Sequence, residues 1–285
     1  MLFRVMDIET VPDMSVFTPG EPKWVQKPVW KQPSALEIAH PELLAGVKVP
    51  ELVWVKEDPF PPAQAHRVVA ISWCDVEMSV PSGNDSRVYR FSAMHTAAAW
   101  ETPQDERRLL VDFRRAQLGA PATLVTWNGR TFDLPVLAMR ALRHGVPWNW
   151  YYDGRGLRYR YSDEGHCDLM DYLSDYGATR QMKLGDACRL IGLPGKTDMD
   201  GSKVADLVLS TEPATVVVEN MTKVAKYCLQ DSLQTALLFV RSRFHLGLLT
   251  LAGYRESIES FKKEISQVID INWEKLDIAA DVEEG

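Results

Sequence analysis

The sequence predicts an α/β protein in which helices cover both faces of a mixed β-sheet. Three short segments of apolar, β-prone residues come early in the chain, at 2–8, 67–76 and 87–92. A buried strand at 122–127 follows an amphipathic helical pattern, and most of the remaining chain has helical periodicity. Because strands come first and then mix with helices, a mixed sheet flanked by helices is the expected architecture.

The individual elements follow from periodicity and from turn residues. A proline- and glycine-containing turn at 81–85 separates the second and third strands, so we expect these strands to form a hairpin. Leu109 and Phe113 recur at helical spacing, and Asp133 lies where a helix is expected to begin. The predicted helices are 103–118, 133–144, 168–176, 183–191, 203–209, 213–245 and 250–269.

The stretch 12–66 has an unusual composition. It contains ten of the 17 prolines and three of the nine tryptophans. Proline at this density interrupts helices and strand ladders, because it lacks the N–H donor. The stretch is also too apolar for a solvated linker, so we predict a long loop packed over the core.

Composition restricts the class of protein. With 46% hydrophobic and 25% charged residues, the chain has the composition of a globular protein rather than a disordered or collagen-like one. Its four cysteines show no C-x-x-C spacing, which excludes a zinc ribbon and suits a reducing cytosol. We see no signal-peptide pattern and no apolar run of about 18 residues, so we expect a soluble, cytoplasmic protein without membrane association.

The net charge of −7 argues at first against a nucleic-acid binder, which usually carries a basic surface. Much of the acidic excess lies in 264–285, where seven acidic residues accompany one lysine. The rest of the chain is therefore close to neutral. We predict that this acidic tail lies away from any nucleic-acid groove.

The first strand ends in two acidic residues at alternate positions, Asp7 and Glu9, followed by Thr10. Residues i and i+2 of a strand share a face, so the two carboxylates lie side by side. Like charges this close resist joint ionisation, and a divalent cation relieves the repulsion. Hard oxygen ligands suit Mg²⁺ or Mn²⁺, which makes this pair a candidate metal site. The alternative is a strand end that reaches solvent.

A second candidate site follows the buried strand at 122–127 directly. The segment 128–133 has the sequence NGRTFD and leads into a predicted helix. A strand, a glycine turn and a helix in succession carry polar side chains to the sheet edge, where sites are usually built. Asn128 and Asp133 are therefore candidate site residues; alternatively, they shape the turn and cap the helix.

The long predicted helix at 213–245 contains the third candidate pair, Tyr227 and Asp231. Positions i and i+4 share a helix face, so the phenol and the carboxylate can point into one site. This spacing alone is weak evidence, because Tyr159 and Asp163 repeat it. Since helical periodicity is absent around the second pair, we prefer Tyr227 and Asp231.

Together and in this order, the motifs D-x-E-T, N-x-x-x-F-D and Y-x-x-x-D resemble those of the metal-dependent 3′→5′ exonucleases of the DEDD superfamily, of the tyrosine type. The pattern is most similar to the proofreading exonuclease domain of family-B DNA polymerases and to free-standing bacterial proteins that resemble this domain. The resemblance implies a ribonuclease-H-like fold. We predict an exonuclease domain at 1–245, including the insertion 12–66, and a C-terminal helix and acidic tail at 246–285.

The resemblance also implies a mechanism. Two divalent ions, Mg²⁺ or Mn²⁺, are expected between four carboxylates, and an in-line displacement is expected to release a nucleoside 5′-monophosphate. The implied metal ligands are Asp7, Glu9, Asp133 and Asp231. Tyr227 is implied to orient the attacking water.

A basic, aromatic segment at 140–160 predicts contacts to a single strand, since arginines meet phosphates and rings stack on bases. Its arginines are Arg140, Arg143, Arg155, Arg158 and Arg160, and its rings include Trp148, Trp150, Tyr151, Tyr152 and Tyr159. The candidates for substrate contact are Thr10, Asn128, Phe132, Arg155, Arg158 and Tyr159. Of these, Phe132 also fits a core position beneath the site.

One alternative concerns the last metal ligand. His166 precedes Asp171 by five positions, as in the histidine type of the same superfamily. Asp231 lies farther from Asp133 than Asp171 does, and the longer spacing resembles the polymerase domains. We therefore prefer Asp231 and expect 166–169 to be a strand end with a structural aspartate, Asp168.

Substrate preference is less constrained by the sequence. We expect an exonuclease that acts on the 3′ ends of single strands, with DNA favoured over RNA. Three alternatives are an exoribonuclease for RNA ends or short oligonucleotides, an inactive single-strand-binding module on the same fold, and a small-molecule phosphoesterase.

Overall fold

A five-stranded mixed sheet forms the centre of the chain. The computed structural model describes residues 1–18, 20–29, 51–57, 60–80, 87–99, 101–154, 156–195, 201–209 and 214–278. Its strands are β1 (Leu2–Pro12), β2 (Lys23–Val29), β3 (Glu51–Glu57), β4 (His66–Ser79), β5 (Val88–Ala98), β6 (Thr123–Thr126) and β7 (His166–Asp168). The main sheet has the order β5-β4-β1-β6-β7. Within it, β1 is antiparallel to β4 and parallel to β6.

Helices pack on both faces of this sheet, which confirms the predicted fold class. They are α1 (Pro103–Gly119), α2 (Asp133–Arg143), α3 (Asn149–Asp153), α4 (Leu169–Leu173), α5 (Leu184–Leu190), α6 (Gly201–Val208), α7 (Ala214–His245) and α8 (Leu251–Ile265). Thr102 begins α1 with a capping box, in which its side chain and that of Asp105 each accept the other residue's N–H. None of the helices in the described ranges has a stretch long and apolar enough to cross a membrane.

Alternate side chains of β1 enter hydrophobic cores on opposite faces of the sheet. Phe3 and Val5 pack with residues of α7 and α8, whereas Met6 packs with residues of α1 and α2. Asp7 and Glu9 continue the alternation of Phe3 and Val5, because the register shift in β1 comes only after Glu9. The two carboxylates therefore lie on the sheet face that α7 covers.

The stretch 12–66 is not the single loop that its proline content predicts. β2 and β3 form a separate antiparallel pair, with Gln26 opposite Trp54. Trp24 and Trp54 each expose 63% of their surface, so the prediction that this stretch packs over the core is wrong for both side chains. Pro28 is tolerated in β2 because both strands of a two-stranded sheet are edge strands. Residues 30–50 lie outside the described ranges.

Three strands of the main sheet, β1, β4 and β5, are longer than the sequence predicts, whereas β6 is shorter than the predicted 122–127. β1 continues to Pro12 and β5 to Ala98, because both keep pairing with β4 beyond their apolar segments. The antiparallel pairing of β4 with β5 agrees with the expected hairpin, although the predicted turn at 81–85 lies outside the described residues.

The C-terminal part packs against α7 in the same core as β1. Leu276 is buried, and its main-chain oxygen accepts hydrogen bonds from Tyr254 Oη at 2.9 Å and from Arg241 Nη2 at 2.6 Å. The part of the predicted acidic tail up to Ile278 therefore packs on the folded core. Its remaining acidic residues lie beyond the described ranges.

Candidate active site

Three of the predicted carboxylates form a compact acidic cluster. One ligand oxygen each from Asp7, Glu9 and Asp231 lies within 4.8 Å of the other two. Glu9 and Asp231 are buried and Asp7 is half-buried. Holding three like charges together at low solvent exposure costs free energy unless protons or a cation compensate. A set of hard oxygen donors fits Mg²⁺ or Mn²⁺.

Hydrogen bonds between β4 and α7 bring Asp231 to this cluster. Ser72, which pairs with Asp7 in the sheet, donates from its Oγ to the main-chain oxygen of Cys228 at 2.8 Å. Its Oγ also lies 2.7 Å from the Oγ of Ser232. The Cys228 thiol donates to the main-chain oxygen of Asp7 at 3.4 Å. Because these contacts flank Asp231 on α7, they hold its carboxylate against β1.

Cys228 remains a thiol in this setting. Burial, and after it the carboxylates of Asp7 and Glu9, raise the pKa of the Cys228 thiol well above its ordinary value. The Sγ atom lies 3.7 Å from Asp7 Oδ2, so a thiolate would add another negative charge to the cluster. The protonated thiol instead serves as a weak hydrogen-bond donor to β1.

Tyr227 lies one helical turn before Asp231 on α7. Its side chain is 95% buried and packs with Val11 of β1 and with Val204 and Val224. Tyr227 and Asp231 share a helix face, as their spacing predicts.

Asp133 is the predicted metal ligand that the structure does not bring into the cluster. It is the first residue of α2, it is buried, and it lies outside the group of mutually close oxygens. Because β6 runs parallel to β1, the loop from β6 to α2 emerges at the edge of the sheet towards which Asp7 and Glu9 lie. Asp133 therefore lies towards the same edge of the sheet as Asp7 and Glu9, but it is not part of the acidic cluster.

The turn that leads to Asp133 is held by Asp168. Asn128 has a φ of 65°, a left-handed conformation that asparagine tolerates better than most residues. The two oxygens of Asp168 accept the N–H groups of Asn128 and Arg130, each at 2.9 Å. Burial raises the pKa of the Asp168 carboxyl, and its backbone donors oppose this shift. Gly129 is required in the turn because a Cβ would collide with Thr126.

The histidine-type alternative receives no support from the geometry. His166 is fully buried, its Nε2 lies 2.8 Å from Thr126 Oγ1, and burial lowers its pKa to about 3. Asp171 accepts two hydrogen bonds from Arg160, at 2.8 and 2.6 Å. Neither His166 nor Asp171 belongs to the acidic cluster.

The structure divides the basic, aromatic segment 140–160 into interior and surface residues. Arg140 is buried and forms two hydrogen bonds of 2.6 Å with Glu106, while Trp148 and Trp150 pack in the core. The interpretation of this segment as a nucleic-acid surface is therefore wrong for these three side chains, because they form internal contacts. Among the described arginines and rings of the segment, Arg143, Tyr152, Arg158, Tyr159 and Arg160 are exposed. Of these, Arg143 is paired with Asp13 and Arg160 with Asp171. Arg155 lies outside the described residues.

Thr10 and Phe132 both contact His66, a histidine that belongs to none of the three sequence motifs. Thr10 Oγ1 lies 3.0 Å from His66 Nδ1. The rings of Phe132 and His66 are in edge contact, with centroids 4.9 Å apart. Phe60 completes this aromatic group, with centroids 4.9 Å from His66 and 5.9 Å from Phe132. No motif marks Phe60 or His66, because both lie in or beside the stretch without clear periodicity.

The sheet order and strand directions are those of the ribonuclease-H-like fold that the motifs imply. A family model described as a predicted 3′-5′ exonuclease related to the exonuclease domain of PolB matches residues 58–276, and the chain belongs to this family. The matched region contains Asp133, Tyr227 and Asp231. It begins after β1, which carries Asp7 and Glu9.

The comparison with curated proteins gave no match. Among solved structures, the family B DNA polymerase from the hyperthermophilic archaeon Pyrobaculum calidifontis is similar, with 15% sequence identity and a TM-score of 0.42. The match covers 86% of this chain and 34% of the polymerase chain. The chain therefore spans only about a third of the length of that polymerase.

Proposed function

We propose that this chain is a metal-dependent 3′→5′ exonuclease that degrades single-stranded nucleic acid, DNA in preference to RNA, and releases nucleoside 5′-monophosphates. One observation carries the proposal: the oxygens of Asp7, Glu9 and Asp231 lie within 4.8 Å of one another in a member of a predicted exonuclease family. Two of these carboxylates lie outside the region that the family model matches. Their convergence on Asp231 is therefore support that is independent of that match.

The carboxylates are proposed to hold two divalent ions, Mg²⁺ or Mn²⁺. Asp7, Glu9 and Asp231 supply the clustered oxygens, and Asp133 at the start of α2 is proposed as the ligand that completes the second position. When bound, ions of this class neutralise developing negative charge on the phosphate and make water more acidic.

The other site residues are assigned roles that suit their chemistry. The phenol of Tyr227, one turn before Asp231, is proposed to donate a hydrogen bond that orients the attacking water. Thr10 directly follows Glu9, and Asn128 lies in the turn that leads to Asp133; both are proposed to contact the terminal nucleotide. The N–H of Asn128 donates to Asp168, so the backbone that carries this side chain is held in the turn.

The nucleic-acid strand is proposed to run along the exposed part of the segment 140–160. The guanidinium of Arg158 lies 5.1 Å from the ring centroid of Tyr152, and Tyr159 exposes 62% of its surface. A cation beside exposed rings supports a strand without sequence readout, because every phosphate is negative and every base has a stacking face. Arg155 of the same sequence segment is also proposed to contact the strand.

The test is digestion of a 5′-labelled single strand in Mg²⁺ or Mn²⁺, with an RNA strand of the same sequence in parallel. We expect a ladder that shortens from the 3′ end, faster on DNA, and is abolished by a chelator. Asp231→Asn should abolish the ladder, whereas Glu259→Gln, at an acidic residue exposed on α8, should not.

Three results would contradict the proposal. Absence of cleavage in both metals would exclude the exonuclease, and tight strand binding without turnover would indicate the inactive binding module instead. A faster ladder on RNA would reverse the proposed substrate preference and favour an exoribonuclease.

A further inference from the structure

Phe60 is an exposed aromatic ring that is nevertheless held in place. It exposes 76% of its surface, yet its ring contacts those of His66 and Phe132, with centroids 4.9 and 5.9 Å away. An isolated exposed apolar side chain needs no explanation. A ring that rests on two others presents a fixed aromatic surface.

His66 fastens this surface to the strand that carries the carboxylates. Its Nε2 lies 2.8 Å from the main-chain oxygen of Pro61, and its Nδ1 lies 3.0 Å from Thr10 Oγ1. A carbonyl oxygen only accepts, so Nε2 carries the proton and the Thr10 hydroxyl donates to Nδ1. Burial lowers the pKa of His66, which favours the neutral ring that this arrangement requires. The imidazole therefore ties the residue that follows Phe60 to β1.

Two contacts that hold the aromatic group of Phe60, His66 and Phe132 come from residues that neighbour proposed metal ligands in the sequence. Thr10, which bonds to His66, immediately follows Glu9. Phe132, which touches His66 edge-on, immediately precedes Asp133. Residues adjacent to two proposed metal ligands thus fix the position of the exposed ring.

We infer that Phe60 stacks on the base of the 3′-terminal nucleotide, and that His66 is the positioning residue that holds it there. The inference rests on the proposed function, because it requires a nucleic-acid end at the acidic cluster. An aromatic ring suits this ligand, since all four bases present a π face and stacking tolerates any sequence. Phe60 would then align the last base without selecting among bases.

The experiment compares two 5′-labelled single strands that differ only in their last nucleotide, which carries a base in one and is abasic in the other. Release of that nucleotide is measured in a single turnover for each variant. Phe60→Ala should lower the single-turnover rate by about tenfold on the strand with the terminal base and leave the abasic strand nearly unchanged. Phe60→Trp should restore the rate. Leu190→Ala, at an equally exposed apolar residue at the C-terminal end of α5, should affect neither strand.

The role of His66 is tested by combining variants. His66→Ala should reproduce the base-dependent loss, and adding Phe60→Ala should cause little further change, because both substitutions remove the same stacked ring. If His66 has a purely structural role, His66→Ala should lower the rate on both strands equally. If the two losses multiply in the double variant, His66 does not act through Phe60.

The outcomes distinguish this inference from the proposed function. If the wild-type protein shortens both strands from the 3′ end but Phe60→Ala lowers both rates equally, or neither, the stacking role is wrong and the exonuclease stands. If the wild-type protein cleaves neither strand in either metal, the proposed function fails and the inference fails with it.

Discussion

The Oγ of Ser72 lies 2.7 Å from the Oγ of Ser232, and this buried contact joins the central sheet to α7 one residue beyond Asp231. Ser72 also donates to the main-chain oxygen of Cys228 at 2.8 Å. A single small side chain on β4 thus holds the helix at two points. The acidic cluster depends on this junction, because Asp231 is the only one of its three carboxylates that comes from a helix.

Removing the Ser72 hydroxyl is expected to weaken this junction more than removing the Ser232 hydroxyl. Ser232→Ala loses one hydrogen bond and should lower the free energy of unfolding by about 1 kcal/mol. Ser72→Ala removes two hydrogen bonds, to the Cys228 oxygen and to Ser232, so its cost should reach about 1–3 kcal/mol. Urea denaturation followed by circular dichroism measures both. Ser266→Ala, at an exposed serine that bonds within its own helix end, is the control. Equal costs at all three positions would contradict the prediction.

Metal binding is expected to stabilise the wild-type protein and not Asp231→Asn. In a chelator, the variant should melt at the same temperature as the wild type or higher, because one of three repelling charges is gone. An ion present at 100 times its Kd adds about 2.7 kcal/mol, which corresponds to about 5–10 °C in a domain of this size. Differential scanning fluorimetry with and without Mn²⁺ measures the shift. An equal Mn²⁺ shift in both proteins would remove Asp231 from the metal site.

Substitution by asparagine is expected to lower stability but not activity at Asp171, and activity but not stability at Asp231. Asp171→Asn breaks the pair with Arg160 and should lower stability, because the carboxylate is buried and accepts both guanidinium donors. Its nuclease activity should persist, since Asp171 lies outside the acidic cluster. Asp231→Asn should abolish activity while the fold is kept. Digestion rates and unfolding midpoints of both variants provide the comparison, and loss of activity only in Asp171→Asn would revive the histidine-type alternative.

The stability that Asp13 contributes is expected to disappear in acid. Burial opposes its ionisation, but hydrogen bonds from Ser15 and Arg140 outweigh this and lower the pKa of Asp13 from 3.8 to about 2. A carboxyl whose pKa is depressed by folding stabilises the native state above its unfolded value and loses that contribution as the pH falls through its folded value. The stability difference between wild type and Asp13→Asn should therefore shrink between about pH 4 and pH 2. Urea midpoints across this range measure it, and a constant difference would contradict the assignment.

The parts of the site that follow from local periodicity could be predicted from the sequence. Asp7 and Glu9 share a face because side chains alternate along a strand, and Tyr227 and Asp231 share one because of the helical repeat. The meeting of the two pairs depends on long-range packing through Ser72 and Cys228. Neither of these residues has a sequence signal that distinguishes it from any other small core residue.

Residues whose environment comes from distant segments could not be predicted. Arg140 belongs to the basic segment whose sequence predicts contacts to a single strand, yet it pairs with Asp13 and Glu106, in other parts of the chain. With both partners present, the guanidinium is satisfied in the interior. The pairing of β2 with β3 could not be predicted either. The proline content of the stretch 12–66 argues against strands, and proline is tolerated here only because both strands are edge strands.

The contact between Cys228 and Asp7 joins positions 221 residues apart, and this separation bears on when the cluster comes into being. During synthesis, Asp7 and Glu9 leave the ribosome long before α7. Asp231 can therefore join them only after nearly all of the fold has been made. Closing so long a loop belongs to the slow part of folding. A nascent or half-folded copy therefore carries no complete acidic cluster, and any cleavage that the cluster supports is confined to finished molecules.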